Sequence, residues 1–242
     1  MNSIINMKKK ILLTALCVLL FGPFFTTHMN AGTQFSLDFK TRYIWRGFDL
    51  NPNNKPVLQP SITFGLGDTG FALNFWGSFS FEDKNANETD ITLSYEFSKM
   101  KNLSLSIGFI HYGWYFVDEF KFKDNTTQEI YVTAGLPEVP LNPTLTLYYD
   151  FNNGDGVYLV LGISRGLKLT ESISLDLSAA LGYNGGMWVE ESGFSDLNLL
   201  ASLPFKIDKL SFSAYLGAVF ILMDEVNPGV DNEIFAGVSL SF

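Results

Sequence analysis

From Phe35 to Trp45 the side chains alternate. Phe35, Leu37, Phe39, Thr41, Tyr43 and Trp45 fall on one face, Ser36, Asp38, Lys40, Arg42 and Arg46 on the other, and only Ile44 breaks the phase. A strand points successive side chains to opposite faces, so this one meets two different surroundings. In a soluble barrel the apolar face points inward. In a membrane barrel it points out to lipid, and the polar face lines the lumen.

The period of two returns in eleven further segments: Leu58 to Leu66, Phe71 to Phe81, Thr89 to Phe97, Leu103 to Gly113, Gln128 to Leu136, Thr144 to Phe151, Val157 to Arg165, Ile173 to Tyr183, Leu197 to Leu203, Leu210 to Leu222 and Glu233 to Phe242. No helical period interrupts them. The connections alternate in length. Gly67 to Gly70, Ser98 to Asn102, Gly166 to Glu171 and Pro204 to Lys209 are short. Gly47 to Lys55, Glu82 to Glu88, Tyr115 to Thr127, Gly185 to Asp196 and Met223 to Asn232 are longer and more polar. Pro137 to Pro143 and the tight Asn152 to Gly156 turn depart from the rule. On the apolar face Tyr43, Trp45, Phe79, Phe81, Tyr149, Phe151 and Tyr183 gather near the long-loop end, and Phe35, Phe71, Tyr95, Phe97 and Phe242 near the other. Short turns on one side, long loops on the other and two aromatic girdles predict an all-β, transmembrane, antiparallel up-and-down barrel of about twelve strands. The expected place is the outer membrane of a Gram-negative cell, with lipid and lipopolysaccharide around it.

Met1 to Ala31 reads as a signal peptide: Lys8, Lys9 and Lys10, then the apolar run Ile11 to Phe25, too short to span a bilayer. Cys17 follows Leu16, where a lipid-attachment site wants a small residue. The barrel domain is then 32–242. Removing the leader takes three lysines, no acid and the only cysteine, so the net charge falls from -9 to -12 and no disulfide can form. That balance argues against nucleic acid as a partner, because phosphate contacts need clustered Lys and Arg. The chain ends on Phe242, with Leu240 on the same face and Gly237 before it. This pattern resembles the C-terminal signal read by the barrel assembly machinery, with Phe235 where a polar residue is usual.

Tyr43 and Arg46-Gly47 in "YIWRG", Lys55-Pro56 and Gln59 in "NKPVLQP", and Gly70-Phe71 with Trp76 and Ser78 in "GFALNFWGS" resemble the TorF-like porins, a family largely defined by sequence. The match covers about a sixth of the chain. The resemblance implies an outer-membrane barrel with a pore function and supplies no substrate.

Catalysis in a barrel wall needs a nucleophile and a base within reach of each other. His111 is the only histidine after the leader, faces lipid by phase, and has Gly113 where outer-membrane phospholipases carry serine, so no catalytic site is expected. "DFNNGDG", Asp150 to Gly156, has its Gly and Asp in the wrong order for a calcium loop. Asp224, Glu225 and Asp231 read as a solvated loop, and neither metal nor cofactor is expected.

The lumen is more informative. By phase it receives the bases Lys40, Arg42 and Arg46 as a ladder on one strand, and the acids Asp38, Glu82, Glu88, Asp90, Glu96, Glu129, Asp150, Asp176, Asp196 and Glu233 from all around. Twelve strands about 4.8 Å apart and tilted about 40° enclose a backbone radius of roughly 12 Å. Side chains roughly 5 Å deep leave room for small solutes and not for a folded plug domain. The sequence therefore predicts a channel for passive diffusion of small hydrophilic solutes. A lipid- or lipopolysaccharide-modifying enzyme and a closed structural or adhesion barrel are the competing readings, the last because a loop could fold inward.

Overall fold

In the computed structural model the described residues are 32–51, 55–81, 86–97, 102–114, 126–170 and 173–242. Residues 1–31, where a leader is expected, Glu82 and most of the loop after Trp114 lie outside them. The strands are β1 Gly32–Lys40, β2 Ile44–Trp45, β3 Phe48–Asp49, β4 Val57–Gly65, β5 Phe71–Ser80, β6 Ala86–Glu96, β7 Ser104–Trp114, β8 Thr126–Gly135, β9 Thr144–Asp150, β10 Gly156–Lys168, β11 Ser174–Gly185, β12 Ser192–Ile207, β13 Leu210–Ile221 and β14 Glu233–Ser241. All but β2 and β3 form one closed antiparallel barrel of twelve strands, each beside its chain neighbour. β1 closes it against β14 with Ser36 opposite Ser241 and Lys40 opposite Gly237. The Phe35 and Phe242 backbones exchange two hydrogen bonds of 3.0 and 3.1 Å at the seam. A closed sheet leaves no strand edge, which is the condition for crossing lipid.

The phase of the alternation is the membrane one. Phe75, Ile91, Leu93, Phe109, Ile130, Leu147, Leu161, Leu177, Leu199 and Leu216 are exposed on the outside, while polar side chains of the same strands are buried inside. Phe79, Phe81, Tyr149, Phe151 and Tyr183 ring the long-loop end. At the short-turn end Phe35 stacks on Phe242, with centroids 5.1 Å apart, and Phe71 on Tyr95 at 4.7 Å.

Strands take in 86–88, 166–168 and 204–207, which were expected as connections, and two further expectations need correction. The first strand does not continue to Trp45: β1 ends at Lys40, and the next segment turns into the lumen, where β2 and β3 pair as a hairpin with Trp45 opposite Phe48. Tyr43 and Trp45 therefore belong to the interior and not to the outer girdle. Ile44, the one residue out of phase, sits in that departing segment. Second, 192–196 belongs to β12, where a loop was expected. The register shifts between Leu181 and Tyr183 of β11 because Leu181 faces Leu197 while Tyr183 faces Phe194. A bulge adds one residue to one strand and resets the alternation, so Phe194 is exposed outside while Ser195 and Asp196 are both buried.

Candidate functional site

The hairpin turn is Arg46-Gly47, with φ of +52° and +78°. Positive φ at both central residues is the two-residue turn that matches strand twist, and it favours glycine. Gly47 meets the need, and an added Cβ would also meet Asn227 Nδ2 at 2.7 Å. Arg46 bears the strain of a non-glycine in this region, of order 1 kcal/mol or more. What holds it there is the barrel wall.

Arg46 donates two parallel hydrogen bonds to the Glu129 carboxylate, of 2.6 and 2.8 Å. Glu129 is fully buried, and the Tyr112 hydroxyl donates to the same carboxylate at 2.9 Å. The Arg46 guanidinium lies 4.3 Å from the ring centroids of Trp45 and Tyr148 and 4.8 Å from that of Tyr158. Trp45 meets Tyr112 edge-on at 5.8 Å, and Met187 closes the remaining side. The Arg46 carbonyl accepts from Ser195 and Asn227, both at 3.1 Å. At the base of the hairpin Tyr43 donates to Glu88 at 2.8 Å and packs on Trp76 at 5.7 Å. Charge-assisted and fork-shaped contacts of this kind are the strong ones.

The tyrosines lie flat because glycines make room. A Cβ at Gly182 would collide with the Tyr158 hydroxyl, and one at Gly237 with the Tyr215 hydroxyl. Freed in this way, Tyr158 reaches Asp196 at 2.5 Å and Tyr215 reaches Asp38 at 2.7 Å. Gly237, singled out by sequence for assembly, thus also has a packing reason.

The three bases do not form a ladder. Lys40 stays on β1, 3.6 Å from Asp38; Arg42, past the end of β1, pairs with Glu233 of β14; and Arg46 is carried across the lumen to β8. Among the acids, Asp150 is fully buried and accepts from Thr127 at 2.7 Å and from the Asn152 amide at 2.9 Å. Asp196 also accepts from Asn198. Asp90 faces the lumen between Trp76 and Tyr112 in register, and Glu96 stands at the short-turn end of β6. Leu240 and Phe242 lie on the lipid side of the seam. His111 is also outside, where Gln128 bonds it at 3.0 Å.

Sequence reasoning missed the wall of the Arg46 site, Tyr112, Tyr148 and Tyr158. Their phase placed them on the polar face, which was the available signal.

The short-turn half of the lumen is different. There the inward positions are mostly small hydroxyls, among them Ser36, Ser106, Thr133, Thr146, Ser202 and Ser241. Ser213, Ser239 and both carboxylate oxygens of Asp176 are buried without a hydrogen-bond partner among the described residues, as are Ser80 and one Asp90 oxygen toward the long-loop end. Buried polar atoms of this sort require water or solute as partners.

No family model and no curated protein matches the chain. Solved structures do. The KdgM porin aligns with TM-score 0.58 and 14% identity over 86% of this chain and 98% of that one. The COG4313 outer membrane channel from Pseudomonas putida F1 aligns at 0.54 and 11% over 88% and 95%. LpxR from Salmonella typhimurium aligns at 0.52 and 10% over 86% and 99%. The chain shares the outer-membrane barrel fold of these proteins.

Proposed function

We propose that this protein is an outer-membrane channel for small hydrophilic solutes, closed in its outer half by the hairpin and open to the periplasm through a hydroxyl-lined vestibule. The observation that carries the reading is the contrast between the two halves of the lumen. Large side chains and the hairpin fill one, while the other is lined mostly by Ser and Thr. A barrel built only to be closed has no need of that second lining. The fold shared with a porin and an outer-membrane channel supports the reading, as does the likeness to TorF-like porins. Some residues of that likeness meet in space: Tyr43 packs on Trp76 and Gln59 lies 3.5 Å from Ser78, while Arg46-Gly47 is the hairpin turn.

The hairpin itself favours a second reading, a permanently closed structural barrel, because four separate polar contacts seat it. The two are separated by refolding the unmodified protein and placing it in a planar bilayer. The channel reading expects resolved current steps that grow several-fold when 43–49 is replaced by a short Gly-Ser link. Silence from the unmodified protein at every voltage and salt concentration would overturn it in favour of the closed barrel.

A further inference from the structure

We propose that Glu129, Tyr112, Tyr148 and Tyr158 form a receptor site for solutes bearing a guanidinium group, and that Arg46 fills this site from within the chain. The walls and the occupant have different origins. Tyr112, Glu129, Tyr148 and Tyr158 stand on β7, β8, β9 and β10, four adjacent strands of the closed sheet, whereas Arg46 arrives on a turn with an unfavourable backbone conformation. The four wall residues belong to the sheet and stay with it when the turn leaves, whereas Trp45, which packs on Tyr112, leaves with the turn.

Its chemistry is specific. A carboxylate accepting two parallel N–H donors matches the planar guanidinium fork and not the single point of an ammonium. Tyr148 and Tyr158 offer ring faces at 4.3 and 4.8 Å, where a weakly hydrated delocalised cation gains most. With the hairpin seated Glu129 is fully buried, and a departing Arg46 takes two donors from its carboxylate and leaves an anionic acceptor pair for another cation. On the vestibule side Glu96 and Asp176 supply negative charge, and low-dielectric walls focus such a field and concentrate cations.

Seating of the hairpin and binding of a guanidinium solute then exclude each other. A solute that binds only when Arg46 has left shifts the population toward the unseated hairpin. The tether gives Arg46 a high local concentration, so the unmodified protein needs more solute than one lacking the side chain. The effect on ion flow rests on the channel reading above. The binding does not, and it is measured without a bilayer.

The test is Arg46→Ala in detergent, with the melting temperature followed against millimolar methylguanidinium. The expected result is a saturable rise, because a ligand of the folded state stabilises it. Ethylammonium, of equal charge without the fork, should be at least about tenfold weaker. Arg46→Ala combined with Glu129→Gln should respond to neither. A flat response in Arg46→Ala, or equal responses to the two cations, overturns the proposal. If Arg46→Ala fails to refold, methylguanidinium added during refolding should recover it where ethylammonium does not, and failure of that rescue also overturns the proposal. Binding without any change in current would leave the site standing and count against the channel reading.

Discussion

Replacing Glu129 with Gln should unseat the hairpin. In the native protein the carboxylate accepts two hydrogen bonds from Arg46 and one from Tyr112, at 2.6, 2.8 and 2.9 Å, with no exposure to solvent. Breaking a buried pair by removing one partner costs about 3–5 kcal/mol, because the other charge is left uncompensated. Here Arg46 is on a loop and can return to water, so the lower end of that range applies. At about 1.4 kcal/mol per decade, roughly 3 kcal/mol moves the seated-to-unseated ratio about 100-fold. The barrel hydrogen bonds are untouched, so the fold should survive. Glu233→Gln is the contrast. It breaks the Arg42 pair at the rim, where both side chains keep some access to solvent. An ion pair with that access is worth about 1 kcal/mol or less. The assay is the open fraction in planar bilayers, with unheated gel migration as the check on folding. A folded Glu129→Gln protein with the open fraction of the unmodified one would refute the reasoning that this pair holds the hairpin.

Three further outcomes are expected. Twelve strands closed into one sheet should melt together, so an unheated sample in detergent migrates faster than a boiled one; identical migration would count against a closed barrel. Phe242→Ala, which keeps the two backbone hydrogen bonds of the seam, should lower yield in the outer membrane while leaving refolding in detergent nearly unchanged, since the residue is 62% exposed and buries little area. Nine of the acids expected inward lie among the described residues, against the expected bases Lys40, Arg42 and Arg46, so the channel should prefer cations at low salt. The preference should fade as the Debye length shortens to about 10 Å at 0.1 M, and a reversal potential showing anion preference would contradict this balance.

The barrel was legible in the sequence because its signal is redundant. Twelve stretches share one period, and an error in any single strand leaves the architecture standing. The lumen was less so. Tyr43 and Trp45 carry an apolar body with a polar tip, and such residues suit a lipid interface and a packed interior equally well. Alternation therefore ran on past Lys40, where the sheet had ended. Ile44 alone registered the departure. The pairing of Arg42 with Glu233 could be anticipated because a closing barrel sets the last strand beside the first. The pairing of Arg46 with Glu129 could not, because it joins a loop to a strand eighty-three residues away across the lumen, and no local pattern encodes that reach. The bulge in β12 hid Phe194 by changing phase in midstrand, although Asp196 beside it was read as inward.

The account rests most heavily on where residues 43–49 lie. Gly47 and Asn227 meet inside the barrel: a Cβ on Gly47 would stand 2.9 Å from Asn227 Cγ, about where a cysteine sulfur would be. Residues 32–242 contain no cysteine, so Gly47→Cys combined with Asn227→Cys places one pair of thiols in the barrel. The measurement is bilayer current before and after reduction. The account predicts that the oxidised protein passes little current, and that dithiothreitol restores openings at least as frequent as those of the unmodified protein. A current from the folded, oxidised protein that reduction leaves unchanged would contradict a hairpin that closes the lumen.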